Sequence, residues 1–123
     1  MRPAIVFAAI AAGDLAVSVE FYRSLLGREP DLKTRDIYVE FHLPGLRLGI
    51  FSPRESHRDE FAGASGALSL VLAVPDIEQA HAEFSARNSA RRPGPLVDAS
   101  YGREFYGYDP DGNRLIVVEL VSG

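Results

Sequence analysis

The chain has no cysteine, which excludes disulfides and thiolate-held metals outright. Imidazole is scarce as well: the three histidines are His42, His57 and His81. No apolar run approaches the ~20 residues of a membrane span, so no membrane partner is expected. Thirteen Lys and Arg against seventeen Asp and Glu give a net charge of −4, with no basic stripe. That balance argues against nucleic acid as a partner. The sequence holds no Gly-rich phosphate loop and no nucleophile elbow. The start, "MRPAIVFAAIAAGD", has an apolar stretch after one Arg. It runs straight into a capped helix, so it reads as a strand rather than a signal peptide, and the expected compartment is the cytosol.

What is present is a repeated order of elements. "AIVFAAI" reads as a strand. "DLAVSVEFYRSLLG" reads as a helix, with Asp14 as N-cap, Leu15, Val19, Tyr22 and Leu26 at helical spacing, and Gly27 as C-cap. "DIYVEFHL", Pro44-Gly45 and "LRLGIFS" make a hairpin. The second half follows suit. "ALSLVLAV" is a strand, and "DIEQAHAEFSAR" is a helix with Asp76 as N-cap and Gln79 at capping-box spacing. "REFYGYDPDGNRLIVVEL" closes with a hairpin, its turn carried by Pro110 and Gly112. Asp14 maps onto Asp76, Gly45 onto Gly112 and Arg47 onto Arg114, so the order points to duplication. A short strand at "REPDL" and another at "PLVDA" would add a further strand to each unit, an alternative the residues leave open. The expectation is one α+β domain over 1–123 made of two tandem βαβββ modules, 1–51 and 67–123. Residues 52–66, charged and without period, read as the linker.

Alternation along the strands assigns faces. In "ALSLVLAV", Leu68, Leu70 and Leu72 should pack on the helices, with Ser69, Val71 and Ala73 opposite. In the first hairpin the pairs Leu43–Leu46, Phe41–Leu48 and Val39–Ile50 belong under the helix. The other face then presents Tyr38, Glu40, His42, Arg47, Gly49 and Phe51, a mixture suited to lining a pocket.

"DLAVSVEFYRSLLG" together with "YGREFYGYDPDGNRLIVVE" resembles the vicinal oxygen chelate superfamily of glyoxalases, bleomycin-resistance proteins and extradiol dioxygenases, across nearly the whole chain. The resemblance implies a cup-shaped mixed sheet, and in metal-using members a divalent ion held by His, Gln or Glu from the first and last strand of each module. Those positions lie seven residues before the helix-starting Asp and four after the hairpin Gly. Here they are Phe7, Gly49, Ser69 and Ile116. Phe, Gly and Ile bring no donor, and a lone Ser hydroxyl is a poor ligand.

Among the histidines, His81 shares a helix face with Ile77 and Phe84 and reads as core border. His57 sits in the solvated cluster "ESHRDE". His42 and Glu40 share a strand face, but two ligands make a weak metal site. Arg87, Arg91 and Arg92 in "SARRPGP" read as a solvated loop. The expectation is therefore a metal-independent, cofactor-free binding protein of the bleomycin-resistance type that takes a small aromatic or cationic molecule. Phe7, Tyr38, Phe51, Phe105 and Ile116 would form the wall. Glu40, His42 and Arg47 would orient the ligand, Ser69 would hydrogen-bond it, and Glu40 would face any cation. Phe105 enters because the repeat sets it against Tyr38. Binding rather than catalysis is expected, and the resemblance implies a homodimer. The alternatives are a lyase, isomerase or dioxygenase of the same superfamily, using other ligands or Glu40 and His42 as acid–base groups, and a structural module whose cup is filled by Phe7 and Ile116.

Overall fold

A computed structural model describes residues 1–62, 67–87, 91–100 and 102–120. The chain divides into two compact units, Met1–Gly63 and Ala64–Gly123. Each contains a four-stranded mixed sheet and a helix on one face. The fold is therefore α+β, with the βαβββ order expected from the repeat.

In the first unit β1 (Ala8–Ala11) leads into α1 (Leu15–Leu26), β2 (Leu32–Thr34), β3 (Tyr38–Leu43) and β4 (Leu46–Phe51). The sheet order is β1-β4-β3-β2, with β1 parallel to β4 and the rest antiparallel. Asp14 caps α1 by accepting from Val17 N–H at 3.2 Å, and Gly27 ends it at φ 64°. The hairpin register pairs Val39 with Ile50, Phe41 with Leu48 and Leu43 with Leu46. Val39, Phe41, Leu48 and Ile50 are fully buried and, with Tyr22, form the core.

The second unit repeats the plan. β5 (Leu70–Val74) precedes α3 (Ile77–Ser85), and β6 (Val97–Ala99), β7 (Gly102–Tyr108) and β8 (Arg114–Glu119) follow. The order is β5-β8-β7-β6. Asp76 accepts from Gln79 N–H at 3.0 Å. Ile77, Phe84, Phe105, Leu115 and Val117 are its buried core.

Three expectations are corrected. The first strands are shorter than their apolar runs: pairing with β4 starts at Ala8, and pairing with β8 starts at Leu70. Residues 1–7 are exposed, and Leu68 is exposed rather than packed on a helix. The segment read as a linker holds structure: a 3-10 turn at Glu55–His57 and α2 (Arg58–Ala62). Its remainder, 63–66, lies outside the described residues. Among the described residues no helix is long and apolar enough to cross a membrane.

Candidate functional site: the sheet faces turned away from α1 and α3

The face of the first sheet turned away from α1 carries Tyr38, Glu40 and His42 from β3, opposite Phe51, Gly49 and Arg47 from β4. Strand alternation puts them there, because their neighbours fill the core. Glu40 is the centre of the group, only 6% exposed. Its Oε2 accepts from the Tyr38 hydroxyl at 2.5 Å. Its Oε1 lies 2.6 Å from His42 Nε2 and 3.4 Å from Arg47 Nε. A buried carboxylate is retained only when such donors compensate its lost hydration. The Tyr38 and His42 hydrogen bonds hold the Glu40 carboxyl below the usual carboxylate range. Burial, and then the adjoining carboxylate, push the Tyr38 phenol up to about 12. Asp31 steadies the strand by accepting from the His42 backbone N–H at 2.7 Å.

The rest of this face is aromatic. The Tyr38 ring lies over Gly49, where an added Cβ would meet the phenol oxygen at 2.6 Å. Phe51 packs edge-on against Phe61 of α2, with centroids 5.0 Å apart. Phe61 went unnoticed in the sequence because its segment reads as a charged linker.

In the second unit the corresponding face carries Glu104, Tyr106 and Tyr108 from β7, with Arg114, Ile116 and Val118 from β8. Ile116 sits between Tyr106 and Val71 in register, and both of these are exposed. Arg114 donates to the Ser69 hydroxyl at 3.0 Å and lies 5.5 Å from the Tyr106 ring. Arg91, read as part of a solvated loop, stacks 3.6 Å over Tyr108.

The structure thus brings together Tyr38, Glu40, His42, Arg47 and Phe51, and separately Ser69 and Ile116. It removes Phe105. That ring is 1% exposed and packs edge-on against His81 at 4.8 Å and Phe84 at 5.7 Å, under α3. The reason is turn length. The first hairpin joins its strands through Pro44-Gly45, whereas Asp109–Asn113 separates β7 from β8. Before the turn the repeat offset therefore differs by one residue from the offset after it, and a one-residue shift changes the face. Phe105 pairs with Val117 as Val39 pairs with Ile50. The counterparts of Tyr38, Glu40 and His42 are Glu104, Tyr106 and Tyr108. Arg114 was available to sequence reasoning as the repeat mate of Arg47.

Phe7 lies ahead of β1 and is 44% exposed, so it is not packed core. His81 approaches the Gly94 carbonyl at 2.9 Å through Nε2, a structural contact at the edge of the core. His57 ends the 3-10 turn on the surface.

The metal-bearing positions of the family do not fit a divalent ion here. Gly49 is covered by a phenol, the Ser69 hydroxyl accepts from Arg114, and Ile116 and Phe7 carry no donor atom. Nor does the Glu40–His42 pair open outward to an ion, since Oε1 and Nε2 face each other.

Two βαβββ units, each a four-stranded mixed sheet with its long helix on one face, define a two-module α+β protein. The chain belongs to the Glyoxalase/Bleomycin resistance protein/Dioxygenase superfamily, whose family model matches residues 4–117. Among solved structures it is similar to a glyoxalase/bleomycin resistance protein from Catenulispora acidiphila. The identity is 27%, with 94% of this chain and 97% of that one covered, at a TM-score of 0.67. It is also similar to a lactoylglutathione lyase from Agrobacterium tumefaciens, at 26% identity, 96% and 95% coverage and a TM-score of 0.71. A bleomycin-binding protein from Streptomyces verticillus, solved with copper(II)-bleomycin, shares the fold at 22% identity, 98% and 100% coverage and a TM-score of 0.67. No curated protein matches the chain.

Proposed function

We propose that this protein binds a small aromatic molecule without a metal ion, in the manner of the bleomycin-resistance branch of its family. One observation carries the reading: the sheet face turned away from α1, and its counterpart in the second unit, carries a wall and satisfied polar groups at the family's metal positions. In the first unit that wall is Tyr38 over Gly49, with Phe51 beside it. In the second it is Ile116 between Val71 and Tyr106. Aromatic and apolar surface of this kind supplies the binding energy, and a few fixed polar groups supply orientation.

The saturation of Glu40 narrows the ligand. Its oxygens already meet the Tyr38 hydroxyl and the His42 ring in hydrogen bonds and the Arg47 guanidinium in an ion pair, so its charge is already compensated without a cationic ligand. The groups turned outward are the Arg47 guanidinium and the His42 ring, which suit a ligand bearing oxygen acceptors. The similarity to a lactoylglutathione lyase at 26% identity suggests the rival, a metal-dependent lyase. Phe7, Gly49, Ser69 and Ile116 speak against it.

The test pairs elemental analysis with thermal shift. Purified protein should carry no stoichiometric zinc, nickel, manganese or iron, and its Tm should not fall in chelator. Stoichiometric metal sinks the reading. A panel of quinone, phenolic and glycopeptide antibiotics should contain members that raise Tm by mass action, about 2.7 kcal/mol at a ligand concentration of 100 Kd. Arg47→Gln should weaken that shift with the fold intact. We also propose a homodimer, as the family resemblance implies.

A further inference from the structure

A cavity of about 560 Å³ lies on the α1 side of the first sheet, between that helix and the strand β2. Pockets for small molecules run roughly from 300 to 1,000 Å³. Its middle is apolar: Leu15 and Val19 of α1 face Val39 of β3. Alternation along β3 turns Val39 to the helix side, and Lys33 stands opposite it in register on β2. Asp14, Asp36 and Ser52 also line the cavity. Backbone bonds gather them at one end. Ser52 N–H donates to the Ile37 carbonyl at 2.9 Å, and Ala12 N–H, just before Asp14, donates to the Phe51 carbonyl at 2.8 Å. Towards the other end Arg23 sits 2.8 Å from Glu20 and 3.5 Å from Glu29. These three compensate one another. Asp14 commits Oδ1 to capping α1. The side chains of Lys33 and Asp36 make no ion pair and no hydrogen bond among the described residues, with each other or with any other group. One cavity thus holds an uncommitted ammonium and an uncommitted carboxylate that do not meet.

We propose that this cavity binds a small linear zwitterion, a molecule with an ammonium group at one end, a carboxylate at the other and methylene groups between. The ammonium lies against Asp36 and Asp14, the carboxylate against Lys33, and the methylenes over Leu15, Val19 and Val39. Charge selects this class over its neighbours. A plain anion would meet Lys33 but would also face the carboxylates of Asp14 and Asp36. A plain cation would meet those carboxylates but would leave Lys33 as a like charge beside it. Only a ligand of both signs pairs every uncommitted group, and like charges placed together reject the others. The apolar middle adds affinity without choosing a sign. Val39 and Glu40 point to opposite sides of β3, so this site is separate from the sheet face that carries Tyr38, Glu40 and His42. It stands or falls independently of the ligand proposed for that face.

Titration of the ¹⁵N-labelled full chain with ε-aminocaproate at neutral pH tests the proposal. The amide resonances of Val19, Lys33, Asp36 and Ser52 should shift saturably. Hexanoate and hexylamine keep the methylenes but carry one charge each. Both should bind about tenfold more weakly, the weight of one charge-assisted hydrogen bond. Lys33→Gln should weaken ε-aminocaproate by about the same factor and leave hexylamine no weaker. Asp36→Asn should weaken ε-aminocaproate and hexylamine but not hexanoate. Lys33 and Asp36 are both exposed, so the variants keep the fold, and the dispersion of the same spectra verifies it. Absence of a saturable shift at the four residues overturns the proposal. Hexylamine binding as tightly as ε-aminocaproate overturns it too, because the cavity would then take cations alone. So does a response confined to Tyr38, His42 and Arg47, which would put the molecule on the opposite face of the sheet.

Discussion

Gly49 and Gly107 are both buried glycines in hairpin strands, yet alanine should act differently at each. At Gly107 the added methyl would meet the Phe84 ring at 2.5 Å, and that ring is enclosed between α3 and Phe105. Overpacking of this kind costs about 1–3 kcal/mol, so Gly107→Ala should lower Tm clearly in a thermal melt. At Gly49 the clash is with the end of a half-exposed side chain, the Tyr38 phenol. That ring can move outward, but only by leaving Glu40. Gly49→Ala should therefore disturb the polar cluster more than the fold, seen as loss of the pH behaviour described next. Tyr38 has its phenol raised from 10.0 to about 12. A raised pKa in the folded state means stability fully present below pH 10 and lost as pH climbs toward about 12. Glu40 has a lowered pKa from its ordinary 4.5, so its contribution is present above that value and is lost as pH falls through the depressed one. The absorbance of phenolate at high pH, native minus Tyr38→Phe, should show one tyrosine ionising about two units later than a free phenol. In Gly49→Ala that tyrosine should ionise nearer the ordinary phenol value of 10.0. A Tyr38 that titrates near pH 10 in the native protein contradicts the network.

At the scale of elements, much of the plan was legible because local chemistry and packing agree. Asp14 and Asp76 are caps with apolar residues at helical spacing behind them, and each accepts the N–H three residues on. Leu43-Pro44-Gly45-Leu46 fixes a two-residue loop, and with it every pair on the first hairpin face. The group around Glu40 follows from that register and from alternation. The second hairpin was misplaced by one residue before its turn. Asp109 shows why: it is buried and uses Oδ1 to accept from Asp111 and Asn113 backbone N–H. Oδ2 accepts from the Asn113 side chain at 2.9 Å. The side chain thus supports a turn one residue longer than Pro44-Gly45, and Phe105 is carried to the core face. Alignment of Gly45 with Gly112 cannot reveal this, because the extra residue lies before the glycine. The helix α2 was hidden for another reason. Five residues, Arg58–Ala62, are too few to show a helical period.

For the molecule as a whole, the surface pattern repeats along with the fold. Among the described residues β1 and β5 are each the edge of a sheet, paired on one side only. Each brings exposed apolar side chains to that edge or just ahead of it: Ile5, Val6 and Phe7 in one unit, Leu68 and Val71 in the other. Unprotected edges of this character are a liability in a monomer and a ready interface in an oligomer. Isolated surface substitutions usually change stability by no more than about 0.5 kcal/mol, which is what Phe7→Ala would cost in a monomer. In the proposed homodimer the same change removes buried area from the interface, and its effect then depends on protein concentration through mass action. Sedimentation velocity should show a dimer for the native chain, with dissociation appearing at higher concentration for Phe7→Ala. Native Tm should rise with concentration, and the gap between native and variant should be wide where the native chain is dimeric and close where both are monomeric. A native chain that sediments as a monomer throughout, with Phe7→Ala indistinguishable from it, would leave Phe7 an exposed ring without a partner and remove the homodimer from the proposal.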